Sequence, residues 1–219
     1  AMMAPIRPQD QRVLGLGTTV AFAFGGVGGQ VCGTIVAFFL SPWLLTVVGI
    51  RPAYAGVILL TGRLWDALTD PAIGALSDRT KTRWGRRRPW MAGPLTPCAV
   101  SYVALFTAPA YLGVALQTPW ARFAYYCTAF WGQQLSFTAY FVPYTALTME
   151  LSHVPSERDS ATLWRMVFEV LGVMVGVVSQ GIIISQLAPE GSTVETQQRA
   201  YLISALCVAG FSSATNLVS

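Results

Sequence analysis

Residues 13–50 read VLGLGTTVAFAFGGVGGQVCGTIVAFFLSPWLLTVVGI, a stretch without one charged side chain. A helix needs roughly 20 apolar residues to cross the hydrocarbon core of a bilayer, and this stretch exceeds that length. Working outward, further uncharged runs cover 89–121, 123–149, 170–189 and 200–219, and 52–74 is apolar apart from Arg63, Asp66 and Asp70. The pattern predicts an all-α membrane protein with six transmembrane helices at about 13–40, 52–76, 89–109, 119–149, 163–187 and 198–219. A short N-terminal segment, 1–12, precedes them, and the expected cytoplasmic connections are 77–88 and 150–162.

Composition agrees. Of the 219 residues only 11% are charged and 53% are hydrophobic, whereas soluble domains carry about 25% charge. Together with a mean hydropathy of +0.51, this argues against a soluble globule, a disordered chain or a solenoid. No ten-residue blocks alternate polar with apolar as a membrane barrel requires. The first span is too long for the apolar core of a signal peptide and no cleavage site follows it, so it is expected to stay in the mature protein.

The basic residues set an expected orientation. Arg7 and Arg12 precede the first span, six more lie between Arg79 and Arg88, and Arg158 and Arg165 flank the connection between spans 4 and 5. Only Arg51, Arg122 and Arg199 fall on the other side, which places the N-terminus in the cytoplasm by the positive-inside rule. Trp43, Tyr54 and Trp120 at one face, and Trp84, Trp90 and Trp164 at the other, fit aromatic belts. A basic loop between two spans is the topological default, so a nucleic-acid role for it is not expected.

Chemistry concentrates in span 2. Arg63, Asp66 and Asp70 stand at i, i+3 and i+7, on one face of a helix. An aspartate inside the membrane costs roughly 2.5–3.5 kcal/mol, and two of them one turn apart repel. A cation between the carboxylates, or a proton on one, relieves that repulsion. An architectural cluster is the other reading, with Arg63 neutralising one aspartate and Asp70 capping a helical turn that starts at Pro71. Span 5 opens with Arg165 and Glu169 at i, i+4, read either as a self-satisfying ion pair or as substrate-facing groups. Ahead of them, Ser156-Glu-Arg-Asp159 has the form of a capping box.

Gly25, Gly26, Gly28, Gly29 and Gly33, with Gln30 among them, let span 1 either pack closely or bend around a cavity. Gln133, Gln134, Thr138, Tyr140, Pro143 and Tyr144 make span 4 polar enough for one face to line water or protein. Cys32, Cys98, Cys127 and Cys207 fall inside spans without metal-ligand spacing and read as small buried residues. His153, the only histidine, sits in a loop without a cysteine or carboxylate cluster, which argues against zinc or a catalytic triad.

Three further segments complete a pattern: Gly62-Arg-Leu-Trp-Asp-Ala-Leu-Thr-Asp-Pro71, Gly74-Ala-Leu-Ser-Asp-Arg79 and Trp84-Gly-Arg-Arg-Arg-Pro-Trp90. The chain resembles the major facilitator superfamily, specifically the glycoside-pentoside-hexuronide:cation symporters typified by melibiose permease. Gly25-Gly-Val-Gly-Gly-Gln30, Val142-Pro-Tyr-Thr-Ala-Leu-Thr148 and Glu157-Arg-Asp-Ser-Ala-Thr162, running on through Arg165-Met and Glu169-Val-Leu-Gly172, are similar to its sodium-dependent lysophosphatidylcholine symporter branch. The resemblance implies a site for Na⁺ or H⁺ on Asp66 and Asp70, with Thr69 nearby and Thr138 adding oxygen. Hard oxygen ligands suit Na⁺, and no other metal or cofactor is expected. It further implies a substrate cavity at Gln30, Phe141, Thr145, Arg165 and Glu169, where a guanidinium suits an anionic headgroup. The stretch containing Gly74, Asp78, Arg79, Gly85, Arg86, Arg87 and Arg88 looks like the superfamily's cytoplasmic signature loop.

Sugar transporters of the family carry sugar-binding aspartates at the positions of Gln30 and Phe141, and both carboxylates are missing here. The expected substrate is therefore a lysophospholipid-like amphiphile first and a glycoside second. The superfamily has twelve helices in two halves, so this chain reads as the N-terminal half, with the C-terminal half and membrane lipids as its partners. An inert half-transporter is a further alternative. An enzyme is not expected, because Asp66 and Asp70 share one helix and no nucleophile–base pair stands out. The expected location is the plasma membrane, multi-pass.

Overall fold

The computed structural model describes residues 15–83, 87–113, 118–151, 154–189 and 191–218. The uncharged first stretch forms one continuous helix, α1 (Leu16–Pro42), which passes directly into a π-helical turn at Trp43–Val47. Gly49, at φ 72°, turns the chain, and Pro52 then starts α2 (Pro52–Arg79), since a proline in the first turn lacks only a donor that has no partner there. α3 (Arg88–Ala92), α4 (Leu95–Leu105), α5 (Pro119–Leu151), α6 (Pro155–Leu187) and α7 (Val194–Val218) follow. α1 lies against α6 and α7, α7 reaches α4, and α5 packs on both α4 and α2.

Several boundaries differ from those expected. Span 3 is broken into α3 and α4 by a turn at Gly93-Pro94, because Pro94 and Pro97 donate no backbone hydrogen bond. Of the connection expected over 150–162, the described residues are nearly all helical. α5 runs to Leu151 and α6 begins at Pro155, as helices extend past their apolar segments where polar residues meet water. That earlier start removes the capping box: the N-cap is Val154, without a side-chain cap, and Ser156 already lies in the first turn. Pro71 lies inside α2, so no new helix starts there for Asp70 to cap. Among the described residues, two helices are apolar enough by length and composition to cross a membrane, Gly17–Val47 and Pro155–Leu187. α2 carries Arg63, Asp66 and Asp70, α5 carries paired glutamines, and α4 is only 11 residues long.

The core of the bundle is mainly apolar but admits polar side chains, and its outer faces are apolar as well. Gln133, Ser136, Thr138, Gln180, Ser204, Ser212 and Thr215 are buried, while Leu64, Leu68, Val170, Met174, Val175 and Val178 project from α2 and α6 with more than half of their surface exposed. Soluble proteins arrange these classes the other way. Trp43, expected in an aromatic belt, is instead fully buried and donates its indole N–H to the carbonyl of Leu105 at 3.0 Å, tying the end of α1 to the end of α4. Trp120, at 67% exposure, does face outward. Of the cysteines, Cys32 and Cys127 are buried, Cys98 is half-buried and Cys207 is exposed.

The glycines of α1 serve close packing, since the helix is unbroken through them. A methyl at Gly28 would run into Ser212 and Thr215 of α7, and one at Gly26 into Tyr144 and Glu169. Gly62 on α2 is filled in the same way by the ring of Phe130. Gly62→Leu is expected to lower stability by about 1–3 kcal/mol through overpacking, read as a fall in Tm of the detergent-solubilised protein. Gly56→Leu, on an exposed part of the same helix with nothing within 4 Å, should leave Tm near the wild-type value.

Candidate cation and substrate site

Helices α2 and α5 meet in a fixed register. Gly62 faces Phe130, Asp66 faces Gln134, Asp70 faces Thr138 and Gly74 faces Val142, so every fourth residue of α2 meets the residue 68 further along the chain. Residues four apart on a helix lie one above the other, and two such rows side by side make a ladder. Its outer rungs are glycine against a bulky side chain. The inner two are polar: Gln134 Nε2 donates to Asp66 Oδ2, and Thr138 Oγ1 donates to Asp70 Oδ1 at 2.9 Å. The second oxygen of Asp66, Oδ1, is buried and has no hydrogen-bond partner.

These carboxylates open onto a cavity of about 840 Å³ between α1, α2 and α5. Gln30 and Thr34 contribute from α1, Arg63 from α2, and Phe137 and Phe141 from α5, their rings stacked with centroids 5.2 Å apart. Among the described residues Arg63 makes no close ion pair with either aspartate, although its charge still acts on Asp66 from a distance.

Of the expected site residues, Asp66, Asp70, Thr138, Gln30 and Phe141 therefore converge on one cavity. Thr69 does not line it: its hydroxyl donates back to the carbonyl of Trp65 at 3.0 Å. Thr145 likewise donates to Val142 of its own helix at 3.0 Å and stays outside. In the expected signature loop, Arg87 pairs with Asp78 at 3.4 Å, and Trp90 Nε1 donates to Thr80 at 2.9 Å. Gly74 faces α5, Arg79 is the exposed last residue of α2, and Arg88 opens α3. Gly85 and Arg86 lie outside the described residues, as do Trp84, His153 and the segment 1–12.

Arg165 and Glu169 also stand apart from the cavity, at the junction of α1, α5 and α6. Arg165 Nε lies 3.7 Å from Glu169 Oε1, both side chains are about one-eighth exposed, and the guanidinium carbon sits 5.9 Å from the Tyr144 ring centroid. Arg165 Nε and Nη1 and Glu169 Oε1 have no hydrogen-bond partners, so the pair is close enough for attraction but not bonded. Tyr144 donates its hydroxyl to Phe22 O, and Tyr140 does the same to Gly25 O at 2.8 Å. Two tyrosines one turn apart thus fasten α5 to the glycine-rich part of α1. Gln134 and these tyrosines were visible in the sequence only as polarity of span 4. The constant offset between polar positions of spans 2 and 4 was the available signal for Gln134.

The family described as MFS/sugar transport protein matches residues 21–218, and the chain belongs to that family. It is 39% identical over 168 residues to the sodium-dependent lysophosphatidylcholine symporter 1 of Xenopus tropicalis, covering 76% of this chain and 31% of that protein. It is 40% identical over 186 residues to a sphingosine-1-phosphate transporter of the same organism, covering 84% of this chain and 35% of the other. An uncharacterised symporter of Synechocystis is 35% identical over 191 residues, 87% of this chain and 35% of its own length. The chain spans about a third of the length of these relatives.

Removing one partner of a buried ion pair leaves the other charge uncompensated, at a cost of roughly 3–5 kcal/mol, whereas replacing both with apolar groups costs far less. Glu169→Gln alone is therefore expected to lower Tm more than the double variant Arg165→Met with Glu169→Met. The check is thermal unfolding of all three proteins in the same detergent.

Proposed function

We propose that this chain is the cation-binding half of a secondary active symporter, with six membrane-spanning helices formed by α1, α2, α3 with α4, α5, α6 and α7. Na⁺ is the coupling ion, held between Asp66 and Asp70 with Thr138 beside them. The substrate is a lysophospholipid-like amphiphile taken into the cavity at Gln30 and Phe141, and a second six-helix half completes the pathway. The protein works as a transporter and not as an enzyme, in the plasma membrane with its N-terminus in the cytoplasm.

One observation carries this reading. Two carboxylates stand one turn apart on an apolar-faced helix, each bound through one oxygen by α5, beside an 840 Å³ cavity. The donor set suits a small hard cation, because carboxylate and hydroxyl oxygens are what such ions prefer, and Oδ1 of Asp66 is a buried acceptor without a hydrogen-bond partner. Membrane spanning is supported by the outward apolar faces of α2 and α6 and by membership of a transporter family. The choice of amphiphile is supported by the relatives named for lysophosphatidylcholine and sphingosine-1-phosphate, and by stacked phenylalanines where sugar-binding carboxylates are missing.

Coupling follows from differential affinity, since only a ligand that prefers one conformation shifts the balance between them. With Na⁺ between the carboxylates, repulsion across the α2 face is relieved and the cavity beside it is favoured in its substrate-accepting form. The two halves then rock about the loaded site to expose it to the other side.

Asp66→Asn and Asp70→Asn in the full-length protein are each expected to abolish Na⁺-stimulated accumulation of labelled lysophosphatidylcholine in proteoliposomes. Stimulation retained in both variants would overturn the cation site. Uptake of a labelled disaccharide without lysolipid uptake would replace the amphiphile by a sugar, and reconstituted protein without any ion-dependent flux would leave an inert half-transporter.

A further inference from the structure

The inner rungs of the ladder engage one oxygen of each carboxylate and leave the other. Thr138 holds Asp70 by Oδ1, and Gln134 holds Asp66 by Oδ2. Asp66 is only partly accessible, and its remaining Oδ1 is buried without a hydrogen-bond partner. A carboxylate fixed through one oxygen has lost the rotation that would exchange its two oxygens, so its free oxygen has a set direction. Gln134 itself lines the cavity and stands one turn before Thr138 on α5.

From this geometry we propose that Gln134 is a positioning residue of the cation site. Its amide N–H pins Asp66 so that Oδ1 is held free and aimed for the ion, and it thereby sets ion affinity and the preference among ions of different size. The inference rests on the cation reading of Asp66 and Asp70. It adds a residue that does not touch the ion.

The surroundings limit what else could do this work. Across the α2–α5 contact, the rung before Asp66 is Gly62 against Phe130, which offers no donor. Trp65, the chain neighbour of Asp66, stacks on Trp131 with ring centroids 5.2 Å apart and nearly parallel planes, and its indole N–H makes no hydrogen bond. Among the described residues Arg63 makes no close ion pair with Asp66. Gln134 is thus the one hydrogen-bond donor to the Asp66 carboxylate among the described residues.

A hydrogen bond to a charged acceptor is worth more than one between neutral groups, and its loss frees the carboxylate to rotate. Gln134→Met keeps the length and volume of the side chain without the N–H, and Gln134→Ala removes the side chain if methionine disturbs folding. Na⁺ and Li⁺ binding to the purified full-length protein would be followed by titration calorimetry, with intrinsic fluorescence of the Trp65–Trp131 stack beside the site as a second readout. Both variants are expected to bind Na⁺ roughly tenfold more weakly and to discriminate less between Na⁺ and Li⁺, with the ion-free Tm lowered as Asp66 loses its donor; the changed Na⁺/Li⁺ ratio is the readout that a merely structural role would not move. Na⁺ affinity and Na⁺/Li⁺ ratio within about twofold of wild type in both variants, with wild type binding normally, would overturn the role of Gln134 and leave the cation site standing. A wild-type protein that releases no binding heat with Na⁺ would overturn the cation site and this inference together.

Discussion

Two carboxylates one helical turn apart, on a helix whose other faces are apolar, demand partners, and most of the architecture around them can be traced to that demand. An aspartate at the centre of a membrane span would cost roughly 2.5–3.5 kcal/mol, and the repulsion between two of them would add to it. α5 answers with an amide and a hydroxyl at the same spacing. For those short side chains to reach, the two helix axes must come close, which is why the rungs above and below the aspartates are glycines. The close approach then leaves the outer side of the ladder open as a cavity that α1 walls on its far side.

α1 is positioned by a different device. Its carbonyls at Phe22 and Gly25 accept from Tyr144 and Tyr140, and its glycines admit α6 and α7 at short range. The same helix therefore presents Gln30 and Thr34 to the cavity while its opposite face is sealed into the bundle. Arg165 and Glu169 sit behind Tyr144, separated from the ladder by the α5 aromatic row of Phe137, Phe141 and Tyr144. Their distance from the carboxylates divides the expected site residues into two groups, one around Asp66 and Asp70 and one around a loose ion pair.

Much of this was legible in the amino-acid order. Charge-free runs marked the helices because the cost of burying charge is large and local, and the i, i+4 aspartates stood out against that background. Residue spacing on one helix is a property of that helix alone. Which neighbour it faces is not, so the partnership of Asp66 with Gln134 became visible only with the register of α2 on α5. Thr69 and Thr145 illustrate the opposite failure: both are hydroxyls near the site in sequence, yet each satisfies itself on a carbonyl of its own helix, a competition that sequence cannot weigh. Trp43 was misplaced for a related reason. An indole is at home either at an interface or in a core that offers a carbonyl, and the free carbonyl of Leu105 exists only because α4 ends there.

The register of the ladder also has a mechanical side. Sliding α2 along α5 by one residue would rotate the facing positions by about 100° and set the aspartates against other neighbours. Sliding by a whole turn would restore the facing row but leave Asp66 against Phe130, or Asp70 against Val142, with no donor in reach. Neither helix can creep past the other without stranding a carboxylate. The two polar rungs thus act as a register lock between α2 and α5, so that a displacement of either helix carries the other with it.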